Sequence, residues 1–249
     1  PTAVVPLESW LPDATLAAIA EENNLSETAF FVPLADQPEE AGGGKAYHLR
    51  WFTPTFEIDL CGHATLAASH VIFEELGHPG PRLRFQTMSG DLFVERKDGL
   101  LVMDFPAWPA KSIAVTDLMA HALGARPLEA HVGRDLLAIY PDEQTIRDLK
   151  PNPTLLLTLP YVCIICTAPS TEFDFVCRVF IQEIGIMEDP VTGSAQCVLT
   201  PYWAARLGKT TLHAYQASKR GGHLYCEYLG DRIRIAGRAA LFMRATIFV

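Results

Sequence analysis

The chain has 249 residues, 49% of them hydrophobic, and a formal net charge of -9 at pH 7. That length and apolar content fit one large domain or two lobes with real cores, and exclude a disordered chain. The acidic balance argues against a nucleic-acid or anionic-membrane surface, because both need clustered Lys and Arg. No apolar run reaches the roughly 18 residues of a membrane span, and six cysteines in a chain of this length fit a reducing cytoplasm better than a disulfide scaffold.

Thr2 to Val5 reads as a short strand. Leu11-Pro12-Asp13-Ala14 opens a helix to about Glu22, with Leu16, Ile19 and Ala20 on one face. Pro12 suits the first helical position and Asp13 the positive end of the dipole. Ser26-Glu27-Thr28-Ala29-Phe30 leads into strand-like Phe31-Val32, Gln37 to Lys45 is an acidic, Gly-rich loop, and Tyr47 to Phe52 is a strand. Leu60-Cys61-Gly62-His63-Ala64-Thr65 then opens an apolar helix that runs to Leu76 and stops at Gly77. Leu83–Thr87, Leu92–Glu95 and Leu100–Phe105 are meander strands turned at Ser89-Gly90 and Asp98-Gly99.

Pro106 to Pro109 starts a linker, and the lobe boundary falls near Lys111, giving lobes 1–110 and 111–249. The second lobe opens with a helix from Thr116 to Leu123 ended by Gly124. Strands Leu128–Val132 and Asp135–Tyr140 and a helix from Asp142 to Leu149 follow. Cys163 and Cys166 form a C-x-x-C inside a strand near Val162–Thr167, where residues three apart point to opposite faces, so they read as two buried thiols. After a strand at Phe175–Phe180, the stretch Glu188-Asp189-Pro190-Val191-Thr192-Gly193-Ser194-Ala195 turns into a helix over 194–207 that stops at Gly208, with Pro201 inside it where a kink is expected. Strands Leu212–Gln216, His223–Tyr228, Arg232–Ala236 and Ala240–Ile247 finish the chain.

The two glycine-ended helices belong to one unit used twice. Leu76 and Gly77 lie fourteen and fifteen positions beyond Gly62, and Leu207 and Gly208 lie fourteen and fifteen beyond Gly193. Arg50-Trp51-Phe52 and Arg178-Val179-Phe180 precede the helices; Gln86 to Gly90 and Gln216 to Gly222 follow them. The second lobe has two strands before its helix where the first has one, so a further strand is expected upstream of Pro1. Strands and helices mixed within each unit define α+β lobes.

The chemistry suggested by these residues is acid–base work on a small anion. Exposed backbone N–H groups at a helix start cradle negative charge, here Gly62 to Thr65 and Thr192 to Ala195, with Ser194 free to add its hydroxyl or to serve as an ordinary N-cap. Asp189 stands just before the second cradle. Glu27 between a helix and a strand is either a general acid/base raised by burial or an ordinary surface carboxylate. His63 at a helix start is either a site histidine or a packing one. Cys61 reads as a small buried hydrophobe rather than an activated thiol, although a helix N-terminus can activate one. Walker A, dinucleotide-glycine and His-Glu-x-x-His motifs are absent, Gly42-Gly43-Gly44 lacks a following phosphate-binding helix, and the eight histidines show no metal spacing.

Ser26-Glu27-Thr28-Ala29-Phe30, Arg50-Trp51-Phe52-Thr53-Pro54, Leu60 to Thr65, Glu188 to Ala195, Arg220-Gly221-Gly222 and Gly230-Asp231-Arg232 together resemble the PhzF-like (phenazine biosynthesis-like) family, in order along the whole chain. Gln196 stands where members often carry His, and Ile181-Gln182 where they often carry Ala-Pro. The resemblance implies a diaminopimelate-epimerase-like fold of two similar lobes, each a β barrel-like sheet around a central helix, with the active site between them. It implies an isomerase that needs no metal or organic cofactor, acts on a small anionic metabolite and forms a homodimer. It places the proton-shuttling residue on Glu27 and assisting residues on His63 and Asp189, with substrate held by Gly62, Ala64, Thr65, Thr192, Gly193, Ser194 and Ala195. Two other readings stay open: an amino- or hydroxy-acid epimerase or dehydratase using Cys61, and a non-catalytic binding protein that retains the fold.

Overall fold

The structure, a computed structural model, describes residues 1–34, 45–183 and 186–249. The chain divides into two compact units, Pro1–Asp104 with Ala236–Val249, and Phe105–Ile235. The acidic, Gly-rich loop expected over residues 37–45, with Gly42-Gly43-Gly44, lies outside the described residues except for Lys45.

The first unit contains β1 (Ala3–Pro6), α1 (Asp13–Asn23), β2 (Thr28–Pro33), β3 (Ala46–Phe52), β4 (Glu57–Ile58), α2 (Gly62–His70), β5 (Arg82–Thr87), β6 (Gly90–Lys97) and β7, which begins in it (Leu100–Pro106). β2 pairs parallel with β1 and antiparallel with β3; β3 pairs parallel with β5; β5, β6 and β7 form a meander. β2 is buried from Thr28 through Val32, as its unbroken apolar sequence requires, because α1 packs on it and α2 packs on it too. Leu16, Ile19 and Ala20 of α1 join Phe30 and Phe52, while the strand alternation turns Ala29 and its neighbour Trp51 to the other face.

Two helix ends differ from the sequence expectation. Pro12 is the N-cap of α1, with φ -55° and ψ 142°, so Asp13 rather than Pro12 is the first helical residue. The second apolar helix is α-helical only to His70 and then widens into a π-helical turn, Val71–Glu75, in which Leu76 N–H donates to the Val71 carbonyl at 2.9 Å. The wider turn accommodates adjacent Ile72 and Phe73, both of which are buried. Gly77 then takes φ 65° and ends the run.

The second unit contains β8 (Lys111–Ile113), α3 (Asp117–Leu123), β9 (Glu129–Val132), β10 (Leu136–Ile139), α4 (Glu143–Asp148), α5 (Pro153–Leu156), β11 (Cys163–Pro169), β12 (Phe175–Glu183), β13 (Ile186–Asp189), α6 (Gln196–Leu207), β14 (Thr211–Gln216), β15 (Gly222–Tyr228) and β16, which starts in it (Arg232–Gly237). Side chains of Thr116, Asp142 and Asn152 cap α3, α4 and α5 by accepting from the Met119, Thr145 and Leu155 N–H groups. Met119, Leu123, Ile146 and Leu156 of these helices form one core with Leu136, Ile164 and Val176 of the strands. Pro201 does not break α6. The carbonyl that its missing N–H leaves free, that of Cys197, accepts instead from Trp108 N–H at 2.8 Å. All six cysteines are free thiols; Cys166 is buried, whereas Cys163 is only partly so.

β4, β8, β13 and α5 were not legible as periodic segments, being two to four residues long. The strand expected at Ala240–Ile247 does not form. Its alternating sequence has no ladder partner among the described residues, Phe242 and Phe248 are 98% and 92% exposed, and Arg244 pairs with Glu75.

The duplication is written in the strand register. From β10 the second unit repeats the order parallel, antiparallel, parallel, antiparallel through β11, β12, β14 and β15. Phe52 pairs with Glu57 on β4, and Phe180 with Glu188 on β13. Arg50 grips Glu57 with two bonds of 2.7 Å and lies 5.0 Å over the Phe52 ring. Arg178 grips Glu188 at 2.7 and 2.8 Å and lies 5.0 Å over Phe180. One detail shifts: Thr87 faces Gly90 as Gln216 faces Gly222, so the counterpart of Gln216 is Thr87, not Gln86.

Candidate active site

In the first unit the turn after α1 brings Glu27 to the foot of β2. Its backbone carbonyl is held by Thr2 Oγ1 at 2.6 Å and Ala3 N–H at 3.3 Å. Its side chain, 14% exposed, places Oε2 2.8 Å from Nε2 of His63, which is 24% exposed at the start of α2. The other ring nitrogen, Nδ1, lies 3.6 Å from the sulfur of Cys61. Burial alone would lower the His63 pKa, but the flanking Cys61 sulfur and Glu27 carboxylate outweigh it and hold the imidazole well above its ordinary value. Burial pushes the Cys61 thiol up, and the nearby His63 ring and Ala64 amide only partly offset this.

These three side chains are the one group of this kind among the described residues whose donor atoms all lie within 4.8 Å of one another. A single metal ion could draw on one nitrogen of the ring, yet the two nitrogens face different partners. The arrangement is a row of close contacts, carboxylate to imidazole at 2.8 Å and imidazole to sulfur at 3.6 Å, of the residue types that move a proton.

The expected cradle at this helix start is narrower than its sequence. Thr65 is fully buried, and both its N–H and its hydroxyl already donate to the Cys61 carbonyl, at 3.2 and 2.6 Å. Gly62 and His63 carry the first-turn amides that helix geometry leaves without an intrahelical acceptor.

In the second unit Asp189 ends β13 and is 7% exposed. Its Oδ2 accepts from the Thr192 hydroxyl at 2.5 Å. Gln216, fully buried on β14, clamps the turn: its Oε1 accepts from Thr192 N–H at 2.8 Å and its Nε2 donates to the Asp189 carbonyl at 2.6 Å. Thr192 N–H is therefore engaged. α6 starts at Gln196, two residues later than the sequence placed it, after a tight turn in which Gln196 and Cys197 N–H donate to the Gly193 and Ser194 carbonyls. The N–H groups of Gly193, Ser194 and Ala195 have no partner among the described residues, so this turn, rather than the helix proper, presents the open donors. Gln216 and Gly222 were missed as site supports. The signal for Gly222 was its neighbouring glycine: a Cβ at residue 222 would fall 2.3 Å from Val191 Cγ2. Gly222→Ala is expected to push Val191 and the turn outward and to lower stability by about 1–3 kcal/mol, read by urea denaturation; an unchanged midpoint would mean the loop yields freely.

The repeat carries different side chains at matching positions of the two units. Register places Cys163 where Glu27 stands and Ile58 where Asp189 stands. Each unit thus holds one of the two carboxylates, Glu27 just before β2 and Asp189 at the end of β13.

Two units that repeat one strand-and-helix pattern, each with donors at the start of its glycine-ended helix, define an α+β fold of duplicated units. A probable proline racemase from Agrobacterium radiobacter has this fold, with a TM-score of 0.59 at 10% identity over 89% of this chain and 76% of its own. The phenazine biosynthesis-like protein family model matches residues 1–245, and the chain belongs to that family. An uncharacterized isomerase of Pseudomonas aeruginosa is 49% identical over 247 residues, 99% of this chain and 92% of the relative. A PhzF family crystal structure from Enterococcus faecalis has a TM-score of 0.89 at 45% identity, over 98% of this chain and 90% of its own. The relative's name supports the isomerase class. Among the described residues no helix is long and apolar enough to cross a membrane.

Proposed function

We propose that this protein is an isomerase of a small carboxylate-bearing metabolite, working by proton transfer between two substrate carbons without a metal or organic cofactor. The observation that carries the reading is the 2.8 Å approach of His63 Nε2 to Glu27 Oε2 inside a nearly buried row of titratable groups. Glu27 as carboxylate takes a proton from carbon, the electron pair moves into the substrate's conjugated acid system, and Glu27 returns the proton at the second carbon. No electron is gained or lost overall. His63 steadies the charge on Glu27 in each state, and the amides of Gly62 and His63 and of Gly193 to Ala195 offer donors to carboxylate or enolate oxygen. Asp189, fixed by Thr192, orients the substrate and shares the proton. A homodimer accompanies this proposal from the family resemblance, and light scattering checks it.

Burial of the Cys61 thiol and its upward shift weigh against the epimerase or dehydratase reading in which it is the carbon base. The test is incubation with a fractionated metabolite extract in deuterium oxide. The expected result is one carboxylic acid that gains solvent deuterium at carbon while its mass otherwise stays that of the isomer. Tight binding of an acid with no deuterium incorporated would replace the isomerase by a binding protein.

A further inference from the structure

We propose that Cys61 is a positioning residue for this acid–base pair: its sulfur holds Nδ1 of His63, leaving Nε2 as the single ring nitrogen presented to Glu27. The inference rests on the isomerase reading for its kinetic consequence, but not for its geometry.

Sγ of Cys61 lies 3.6 Å from Nδ1, within the reach of a sulfur hydrogen bond, and Oε2 of Glu27 lies 2.8 Å from Nε2. Among the described residues those are the titratable groups that face the ring, one from the cap of α2 and one from the segment before β2. A histidine ring held at one nitrogen can rotate by a half-turn about its Cβ–Cγ bond, which exchanges nitrogen for carbon at the position facing Glu27. Two anchors on opposite sides forbid that exchange. The sulfur itself is well placed to serve as an anchor. Cys61 is buried, and its carbonyl is gripped by both the N–H and the hydroxyl of Thr65, whose own carbonyl accepts from Ser69 Oγ at 2.8 Å. Burial pushes the Cys61 thiol up, which disfavours it as a competing nucleophile and leaves the sulfur as a contact for the ring.

The repeat supplies an independent argument. Residue 192 is the counterpart of residue 61, each standing immediately before the first glycine of its helix start. Thr192 spends its hydroxyl on Asp189 at 2.5 Å. In each unit, then, the residue before that glycine tethers a titratable side chain of the same unit: Cys61 tethers His63 and Thr192 tethers Asp189. The two contacts differ in direction along the chain, but each spends the polar atom of that residue on a titratable side chain.

The test uses the full chain labelled with nitrogen-15, as wild type, Cys61→Ala, Cys61→Val and Cys61→Ser. His63 signals are assigned by their loss in His63→Gln. Ring-nitrogen shifts and the His63 titration midpoint need no substrate. Both are expected to move in the alanine and valine variants and to return most of the way in serine, whose hydroxyl can still bond Nδ1. Valine fills the thiol's volume, so it gives a reading even if a cavity unfolds the alanine variant. In the deuterium-exchange assay, alanine and valine are expected to lose turnover by about ten-fold at a KM within a few-fold, with serine recovering. Wild-type ring shifts and midpoint in the alanine or valine variant would overturn the positioning role, as would a serine variant no better than valine. Shifts that move as expected in a protein that exchanges no carbon proton would uphold the positioning and sink only the isomerase reading.

Discussion

Glu27→Gln is expected to lower turnover by roughly 10²–10⁴ while ligand affinity stays within a few-fold. Glutamine keeps the length and most of the hydrogen bonding of the carboxylate. It can still sit beside His63 Nε2, 2.8 Å away in the native side chain. It cannot take a proton from carbon. Binding is expected to survive because the open amides of Gly193, Ser194 and Ala195, and those at the start of α2, belong to the backbone and do not depend on residue 27. A fall in kcat at constant affinity marks a group needed in the transition state rather than in the ground state. Asp189→Asn is expected to lose less, because its Thr192 contact can persist with an amide oxygen. Single-turnover rates and ligand affinity of both variants, measured on the acid that the deuterium screen identifies, decide the matter. A near-wild-type rate for Glu27→Gln would remove it as the proton carrier and leave Asp189 in that place.

Residue types and order carried the fold further than they carried the site. β2 and α1 were legible because Phe30, Phe31, Leu16 and Ile19 follow periods that only a strand buried on both faces and an amphipathic helix satisfy. The duplicated Gly-ended helices were legible because caps and stops obey local rules. The π turn after His70 was not, since nothing local distinguishes it from a continued α-helix and buried packing of Ile72 and Phe73 decides it. The tail at 240–247 misled in the opposite direction: it alternates like a strand, but a strand is a property of a pair, and no partner is written in the segment itself. In the site, Glu27, His63 and Asp189 were named from a resemblance and from their places at helix and strand ends. The Gln216 clamp and the Cys61–His63 contact depend on which side chains the fold brings together across 24 and 2 residues of sequence. Only the second spacing is local, and there a thiol two residues before a histidine carries no pattern that separates contact from packing.

Arg178→Met is expected to be the costliest single change in the second unit's framework, at about 3 kcal/mol, the low end of the range for breaking a buried ion pair. The guanidinium is 13% exposed and its partner Glu188 24%. Its Nε and Nη2 hold both Glu188 oxygens, at 2.7 and 2.8 Å, and its Nη1 donates to the Ile146 and Leu149 carbonyls, at 3.2 and 2.8 Å. Those carbonyls belong to the C-terminal end of α4, where helix geometry leaves acceptors unsatisfied. One side chain thus closes a helix end and pins β13, the strand that carries Asp189. The Glu188 bonds outweigh burial and raise the Arg178 pKa, so the guanidinium keeps its charge. Arg178→Lys keeps the charge without the planar fork and is expected to recover less than half of the loss. Arg50→Met removes the matching grip on Glu57 but, in place of a helix-end contact, only a bond to Asp13, which is 77% exposed, so its cost is expected to be smaller, about 2 kcal/mol. The decisive variant is Arg178→Met with Glu188→Leu. If most of the cost comes from stranding a half-buried carboxylate, the double variant recovers much of the stability lost by the single one. Urea denaturation of the four variants measures this. A double variant as unstable as Arg178→Met alone would show that the lost α4 carbonyl contacts, and not the orphaned Glu188, hold the strand in place.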